Sequence, residues 1–239
     1  MTSQELLPYI SNADFHKYAK EMVDSIHAAI GKADETFYDN VIDPFLALFR
    51  TLVEDMDGKR WFELEKARHM QKSMENSIGH FHQGILSSVI GWEKAPEVVD
   101  VINRENKIIA EVKNKWNTTK GNHLTKIYDD LDGLLRKPDY RDYVGYYVEV
   151  IPKKPDRFSH PFTPSDNTTG MKREKNESIR VIDGASFYHM ASGYPEALRM
   201  LYEKLPLAIN EALGKESNGE VDPLIYELFN RAYGVERLI

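Results

Sequence analysis

The chain has 239 residues, 41% of them hydrophobic and 29% charged, with a formal net charge of −7 and no cysteine. That length buries a sizeable core, and the balance excludes a disordered chain. The lack of cysteine excludes disulfides and thiolate metal sites and fits a reducing, cytoplasmic setting. The start, Met1-Thr2-Ser3-Gln4-Glu5, lacks the basic-then-apolar pattern of a signal peptide. No apolar run approaches the roughly 20 residues that span a bilayer, so no membrane partner is expected.

The first 90 residues read as helices. Asp14 to Ile30 carries an apolar stripe at Phe15, Tyr18, Met22, Ile26 and Ile30, ended by Gly31. Asp43-Pro44 is a cap followed by proline, opening a helix from Phe45 to about Asp55. Lys59 to Val89 is a longer helical stretch, with Gly79 and Gly84 as possible breaks. A hairpin follows over Val98–Lys113, then a loop from Asn114 to Asn122 and a helix from about His123 to Leu135. Tyr146–Ile151 reads as a strand, Pro152–Glu177 as a long segment with little periodicity. Such loops inside compact domains are usually functional or mobile. Ile179–Ile182 and Ala185–Met190 read as short strands around Asp183-Gly184. Two helices close the chain, Pro195–Leu213, with Pro206 as a possible kink, and Pro223 to about Tyr233. The order predicts an α/β fold, a central mixed β-sheet flanked by helices.

The hairpin carries the chemistry. Val98-Val99-Asp100-Val101-Ile102 and Ile108-Ile109-Ala110-Glu111-Val112-Lys113 are short and β-branched, joined by the polar Asn103-Arg104-Glu105-Asn106. A turn centred on Arg104 and Glu105 sets Asp100 opposite Ile109. The period of two then puts Asp100, Glu111 and Lys113 on one face, with Ile108, Ala110 and Val112 turned to a core. Glu111 becomes a diagonal neighbour of Asp100, at roughly 7–8 Å between backbones, a span two carboxylates close around one cation. Two acids and an ammonium on one rigid face suit metal-assisted phosphodiester hydrolysis, with oxygen ligands for Mg²⁺. The plainer reading is a solvated Glu-Val-Lys alternation.

The basic residues are unevenly placed. Arg104–Lys126 holds six Lys/Arg against two acids, and Lys153–Arg180 seven against four. Basic stretches in an acidic chain fit a phosphate-facing cleft. Asn114, Asn117, Thr118, Thr119 and Lys120 follow the catalytic strand as candidate phosphate contacts, or simply as a loop capped by Asn122. His80 and His82, two apart on a helix, point about 200° from each other and cannot chelate one ion. One is expected to face the core and the other the cleft, with Gln83 as a candidate supporting or DNA-contacting residue.

Asp100 … Glu111-Val112-Lys113 resembles the signature of the PD-(D/E)xK nuclease superfamily, with Val99 in place of the usual proline. The likeness extends to type II restriction endonucleases that cut GGNCC. It rests on Ile78-Gly79-His80-Phe81-His82-Gln83-Gly84-Ile85-Leu86, on Glu111 to Gly121, and on Asp183-Gly184-Ala185-Ser186-Phe187-Tyr188. The resemblance implies a PD-(D/E)xK core in a single nuclease domain over 1–239. Its parts would be a helical 1–90, the catalytic sheet and recognition loops in 91–192, and C-terminal helices in 193–239. It also implies a Mg²⁺-dependent, sequence-specific double-strand DNA endonuclease, acting as a homodimer and leaving 5′-phosphate ends. Asp100, Glu111 and Lys113 would be catalytic. Asp100 and Glu111 would hold metal, with Glu75, on the helix before the hairpin, as a third candidate ligand and Glu97 as a lesser one. For a GC-rich target, Lys172, Arg173 and Arg180 are candidates to read guanine. Two competing readings are a structure-specific or repair nuclease of the same superfamily, and a non-catalytic helical binding protein.

Overall fold

The computed structural model describes residues 5–39, 41–96, 98–119, 121–216 and 219–234. Helix α1 (Asn12–Gly31) opens on Ser11, whose side chain accepts the Asp14 amide, and α2 (Pro44–Val53) opens on Asp43 with proline in its first turn. Helix α3 runs unbroken over Gly58–Ser87, a 30-residue rod of roughly 45 Å. Neither Gly79 nor Gly84 interrupts it. At Gly84 the absent side chain admits the Tyr18 ring, which would lie 2.3 Å from an added Cβ.

Six strands form one sheet in the order β1-β2-β3-β4-β6-β5. They are β1 (Glu93–Lys94), β2 (Val101–Asn103), β3 (Ile108–Lys115), β4 (Val144–Ile151), β5 (Ser159–Pro161) and β6 (Ile179–Asp183). The central β3, β4 and β6 are parallel, and both edges are antiparallel. This is the expected mixed sheet with helices on its faces. Helix α4 (Gly121–Leu135) connects β3 to β4 and covers one face with Ile127, Tyr128, Leu131 and Leu134, against Ile109, Tyr147 and Val181. On the other face Ala110, Val112, Val148 and Ile182 join a core with α1, the C-terminal part of α3, α5 (Gly184–Ser192) and α6 (Ala197–Ala212). Helix α7 (Pro223–Tyr233) adds Phe229 to that core.

Three expectations need correction. In the hairpin, Ile102 rather than Asp100 lies opposite Ile109, and Asn103 lies opposite Ile108. The turn is longer than expected because the Asn103 side chain accepts the Asn106 amide at 2.8 Å and Lys107 takes a left-handed φ of 52°. Ala185–Met190 is helical, not a strand. The Asp183 carboxylate caps the Ser186 amide at 2.9 Å, so Asp183-Gly184 starts a helix where a turn was expected. Strand β3 continues through Asn114 and Lys115, and α4 already begins at Gly121, placing Asn122 inside its first turn. The Pro152–Glu177 segment is also more ordered than its sequence suggests. It contributes the edge strand β5 and a tight tip where Asp166 accepts the Thr168 and Thr169 amides.

The helices at the start of the chain are unevenly packed. Between Phe37 and Phe81 no described residue is buried. The second half of α1, a 3-10 turn at Phe37–Asp39, α2 and the first two-thirds of α3 thus form a helical arm. Within it Phe37 is buried, tilted against Phe62 with ring centroids 4.1 Å apart and stacked on His69 at 5.8 Å. Phe45, Leu46, Leu48, Phe49, Leu52 and Val53 of α2 are each 57–80% exposed.

Candidate active site

The site forms on the α4 face of the sheet, where alternation along β3 presents Ile109, Glu111 and Lys113. Asp100 lies just before β2, and its amide donates to the Ala110 carbonyl at 2.9 Å. Because the register error was two residues, the face is unchanged. Asp100 is drawn closer, across from Glu111 rather than diagonal to it. Its Oδ2 accepts the Val112 amide at 2.7 Å, fixing the carboxylate against the catalytic strand. The Lys113 ammonium donates to Glu111 Oε1 at 2.5 Å. Burial and the neighbouring Asp100 charge push the Glu111 carboxyl up, while Lys113 pulls the other way. A low-dielectric site with adjoining carboxylates favours either a held proton or a bound cation.

Further groups share this face. In the parallel ladders Lys113 is in register with Glu149, and Glu149 with Asp183; Glu111 is in register with Tyr147. Burial raises the Glu149 carboxyl, opposed by the nearby His160. The Tyr147 hydroxyl donates to Thr119 Oγ1 at 3.5 Å, folding the post-strand loop over the site. Lys126 of α4 pairs with Asp130 and also feels the Glu111 charge. Asp183 is almost wholly buried and committed to structure, accepting the Phe158 and Ser186 amides. Sequence reading missed Glu149 and Lys126. Glu149 was visible as the lone acid in Val148-Glu149-Val150, the same alternation that flagged Glu111.

The other candidates scatter. Glu75 accepts from Lys115 at 2.9 Å and from Gln71 at 3.2 Å. Among the described residues no group of three or more Asp, Glu or His is arranged to hold a metal ion, so Glu75 stands apart from Asp100 and Glu111. Asn114 is buried, and alternation turns it to the face opposite Lys113. The Thr118 hydroxyl donates to the Lys115 carbonyl at 2.7 Å, closing the loop in which Asn117 is exposed. Lys120 and Glu97 lie outside the described residues. Arg173 makes a two-pronged pair with Asp129 of α4, at 2.8 and 2.7 Å, while Lys172 beside it is exposed. Arg180 donates to Ser159 and Glu177. His82 is buried, its Nδ1 sharing a hydrogen bond with the Tyr188 hydroxyl at 2.8 Å, and His80 is exposed beside Gln83. His82 thus faces the core as one of the pair was expected to, and His80 faces solvent. Gln83 in turn donates to the Val112 carbonyl at 3.4 Å.

A family model described as Eco47II restriction endonuclease matches residues 7–214. The chain belongs to the Eco47II restriction endonuclease family. It is 41% identical to the type II restriction enzyme Eco47II of Escherichia coli, over 96% of this chain and 99% of that one. It is 25% identical to the type II restriction enzyme Sau96I of Staphylococcus aureus, over 99% of this chain and 93% of that one. The stretch shared with the Eco47II family takes in the arm, the whole sheet and every candidate site residue, and stops short of α7. Among the described residues no helix is long and apolar enough to cross a membrane.

Proposed function

We propose that this restriction endonuclease cuts double-stranded DNA in a Mg²⁺-dependent reaction at Asp100, Glu111 and Lys113. The observation that carries the reading is the junction of Asp100 and Glu111 on one strand pair, with Lys113 held 2.5 Å from Glu111. The donor set fits the cation. Both side chains offer carboxylate oxygens, the ligands Mg²⁺ takes alongside water and substrate phosphate. Their mutual repulsion, which favours a proton on Glu111, is what a divalent ion offsets. Asp100 and Glu111 would hold it; Glu75, bonded to Lys115, would enter only through water.

When bound, the ion supplies positive charge at the scissile phosphate and makes water a better nucleophile. The chain's own residues do the rest. The Val112 amide fixes Asp100 in place. Lys113, two residues from Glu111 on the same face, orients the attacking water and neutralises charge building on the phosphorus oxygens. The new bond joins water oxygen to phosphorus and the bond to the 3′ oxygen breaks, leaving 5′-phosphate and 3′-hydroxyl ends. Tyr147 walls the site, and its contact with Thr119 draws the Asn117–Thr119 loop to where the sugar-phosphate backbone would run. Lys126 adds positive charge on the α4 side.

Cutting both strands at a two-fold symmetric target calls for two copies of the site, hence a homodimer. GGNCC is the target we assign, on the likeness to endonucleases that cut it, with the exposed Lys172 as a candidate to read guanine. The enzyme would act in the cytoplasm, within a restriction-modification system. Incubation with a sequenced plasmid and Mg²⁺, followed by mapping of the cut ends, tests all of this. Cuts confined to GGNCC with 5′-phosphates are expected. Cuts at branches or free ends would point to a repair nuclease, and no cleavage with any divalent cation would overturn the reading.

A further inference from the structure

We infer that α2 is the dimerisation surface, packing against α2 of a second copy of this chain. The inference rests on the homodimer reading above and goes beyond it by naming the surface. The arm between Phe37 and Phe81 orders more than forty residues and leaves none of its described residues fully buried, though the side chains of Glu65, Lys66 and His69 are less than a fifth exposed. Ordering costs about 1–2 kcal/mol per residue in backbone entropy alone, and the Phe37–Phe62–His69 stack is a small return. An arm built this way is completed by something outside the protomer.

The chemistry of the face selects the occupant. Six large apolar side chains of α2 stand in solvent, and their spacing puts them on one face of the helix. Contiguous apolar patches of this kind mark interaction sites. Covered aromatics contribute roughly 150–250 Å² each, so Phe45 and Phe49 with the four aliphatics supply a large part of the roughly 800 Å² that a standard interface takes from each partner. DNA does not fit. The one cation of α2, Arg50, is taken by Glu54 at 2.7 and 3.2 Å, and Asp43, Asp55 and Asp57 flank the helix. A lipid surface does not fit either, since interfacial helices pair their apolar face with Lys and Arg. An identical helix fits both conditions, being equally apolar and bringing no buried charge. A two-fold contact through one element is also the simplest self-complementary interface.

The test is sedimentation velocity of the full chain at micromolar concentration. The wild type is expected at twice its 27.6 kDa protomer mass, and Phe49→Glu/Leu52→Glu at the protomer mass with an unchanged circular dichroism spectrum. Leu224→Glu/Leu228→Glu, on the exposed face of α7, should leave the dimer intact. Because the chain has no cysteine, a scan of Leu48→Cys, Phe49→Cys and Leu52→Cys gives a second readout. At least one should form a disulfide-linked dimer under mild oxidation, while Leu228→Cys should not. A dimeric Phe49→Glu/Leu52→Glu variant, or cross-linking at Leu228→Cys only, overturns α2 as the surface. A wild type monomeric both alone and with target DNA overturns it too. So does co-sedimentation of the wild type with phosphatidylcholine vesicles. Plasmid cleavage by the wild type is followed in parallel, so failure of the interface and failure of the nuclease reading are told apart.

Discussion

Asp100 Oδ2 accepts the Val112 amide proton at 2.7 Å, which fastens the aspartate to the peptide unit separating Glu111 from Lys113. That backbone hydrogen bond fixes Asp100 against the strand whose alternation presents Glu111 and Lys113. A site held this way keeps its shape when a charge is removed, so its chemistry can be tested without losing the fold.

Asp100→Asn, Glu111→Gln and Lys113→Ala should each lower plasmid cleavage by at least about 100-fold with unchanged circular dichroism. Mg²⁺ or Ca²⁺ should raise the melting temperature of the wild type by mass action. It should not raise that of Asp100→Asn. Mg²⁺-dependent cleavage at wild-type rate by Lys113→Ala would remove that residue from the mechanism.

Glu149 stands in register with Lys113 across the parallel β3–β4 ladder. If Lys113 leaves Glu111 for the substrate, Glu149 is the acid next to it along the ladder, and it would then act as a positioning residue. Glu149→Gln should slow single-turnover cleavage about tenfold, ~1.4 kcal/mol of barrier. DNA affinity measured in Ca²⁺ should stay within twofold. An unchanged rate would leave Glu149 with a structural part only.

Burial lowers the His82 pKa from 6.5 to about 4. Between those values the unfolded chain binds a proton that the native chain refuses, so stability falls as pH falls through that window. The loss amounts to roughly 3 kcal/mol by its lower end. Urea unfolding at pH 7, 6 and 5 should show this slope, and His82→Gln should flatten it. Equal slopes in the two proteins would assign acid lability to the carboxylates instead.

A Cβ at Gly184 would lie 2.3 Å from the Val150 carbonyl oxygen and 2.5 Å from its Cα. These are backbone atoms of the strand that carries Glu149, and they have no rotamer to retreat into. Gly184→Ala should cost about 3 kcal/mol or more, at or beyond the upper end for overpacked sites. A melting temperature within one degree of wild type would show that α5 shifts freely on β4.

Much of this was legible in the sequence because it is written in short-range rules. Asp43-Pro44 names a helix start, and the alternation Ile109-Glu111-Lys113 names a strand face whatever the register. The hairpin's register depended on one side chain, Asn103, folding back on Asn106, and composition alone does not reveal that. Asp183-Gly184 suits a turn and a helix start equally, so the dipeptide by itself does not decide between them. Only the close approach of β4 explains the glycine. Asn114 and Arg173 were singled out by residue type. Their surroundings, the buried face of β3 and Asp129 of α4, are set by tertiary packing. Glu149 escaped because a single acid acquires meaning only when Lys113 is laid beside it.

Helix α3 spans the molecule in one piece. Its first two-thirds belong to the arm, and its last third buries Phe81, Ile85 and Leu86 behind Ala110 and Val112 and reaches the Val112 carbonyl through Gln83. A straight helix has no joint in which to absorb a tilt. A displacement of the arm would therefore be felt at the Val112 carbonyl, one peptide unit on from the amide that Asp100 grips.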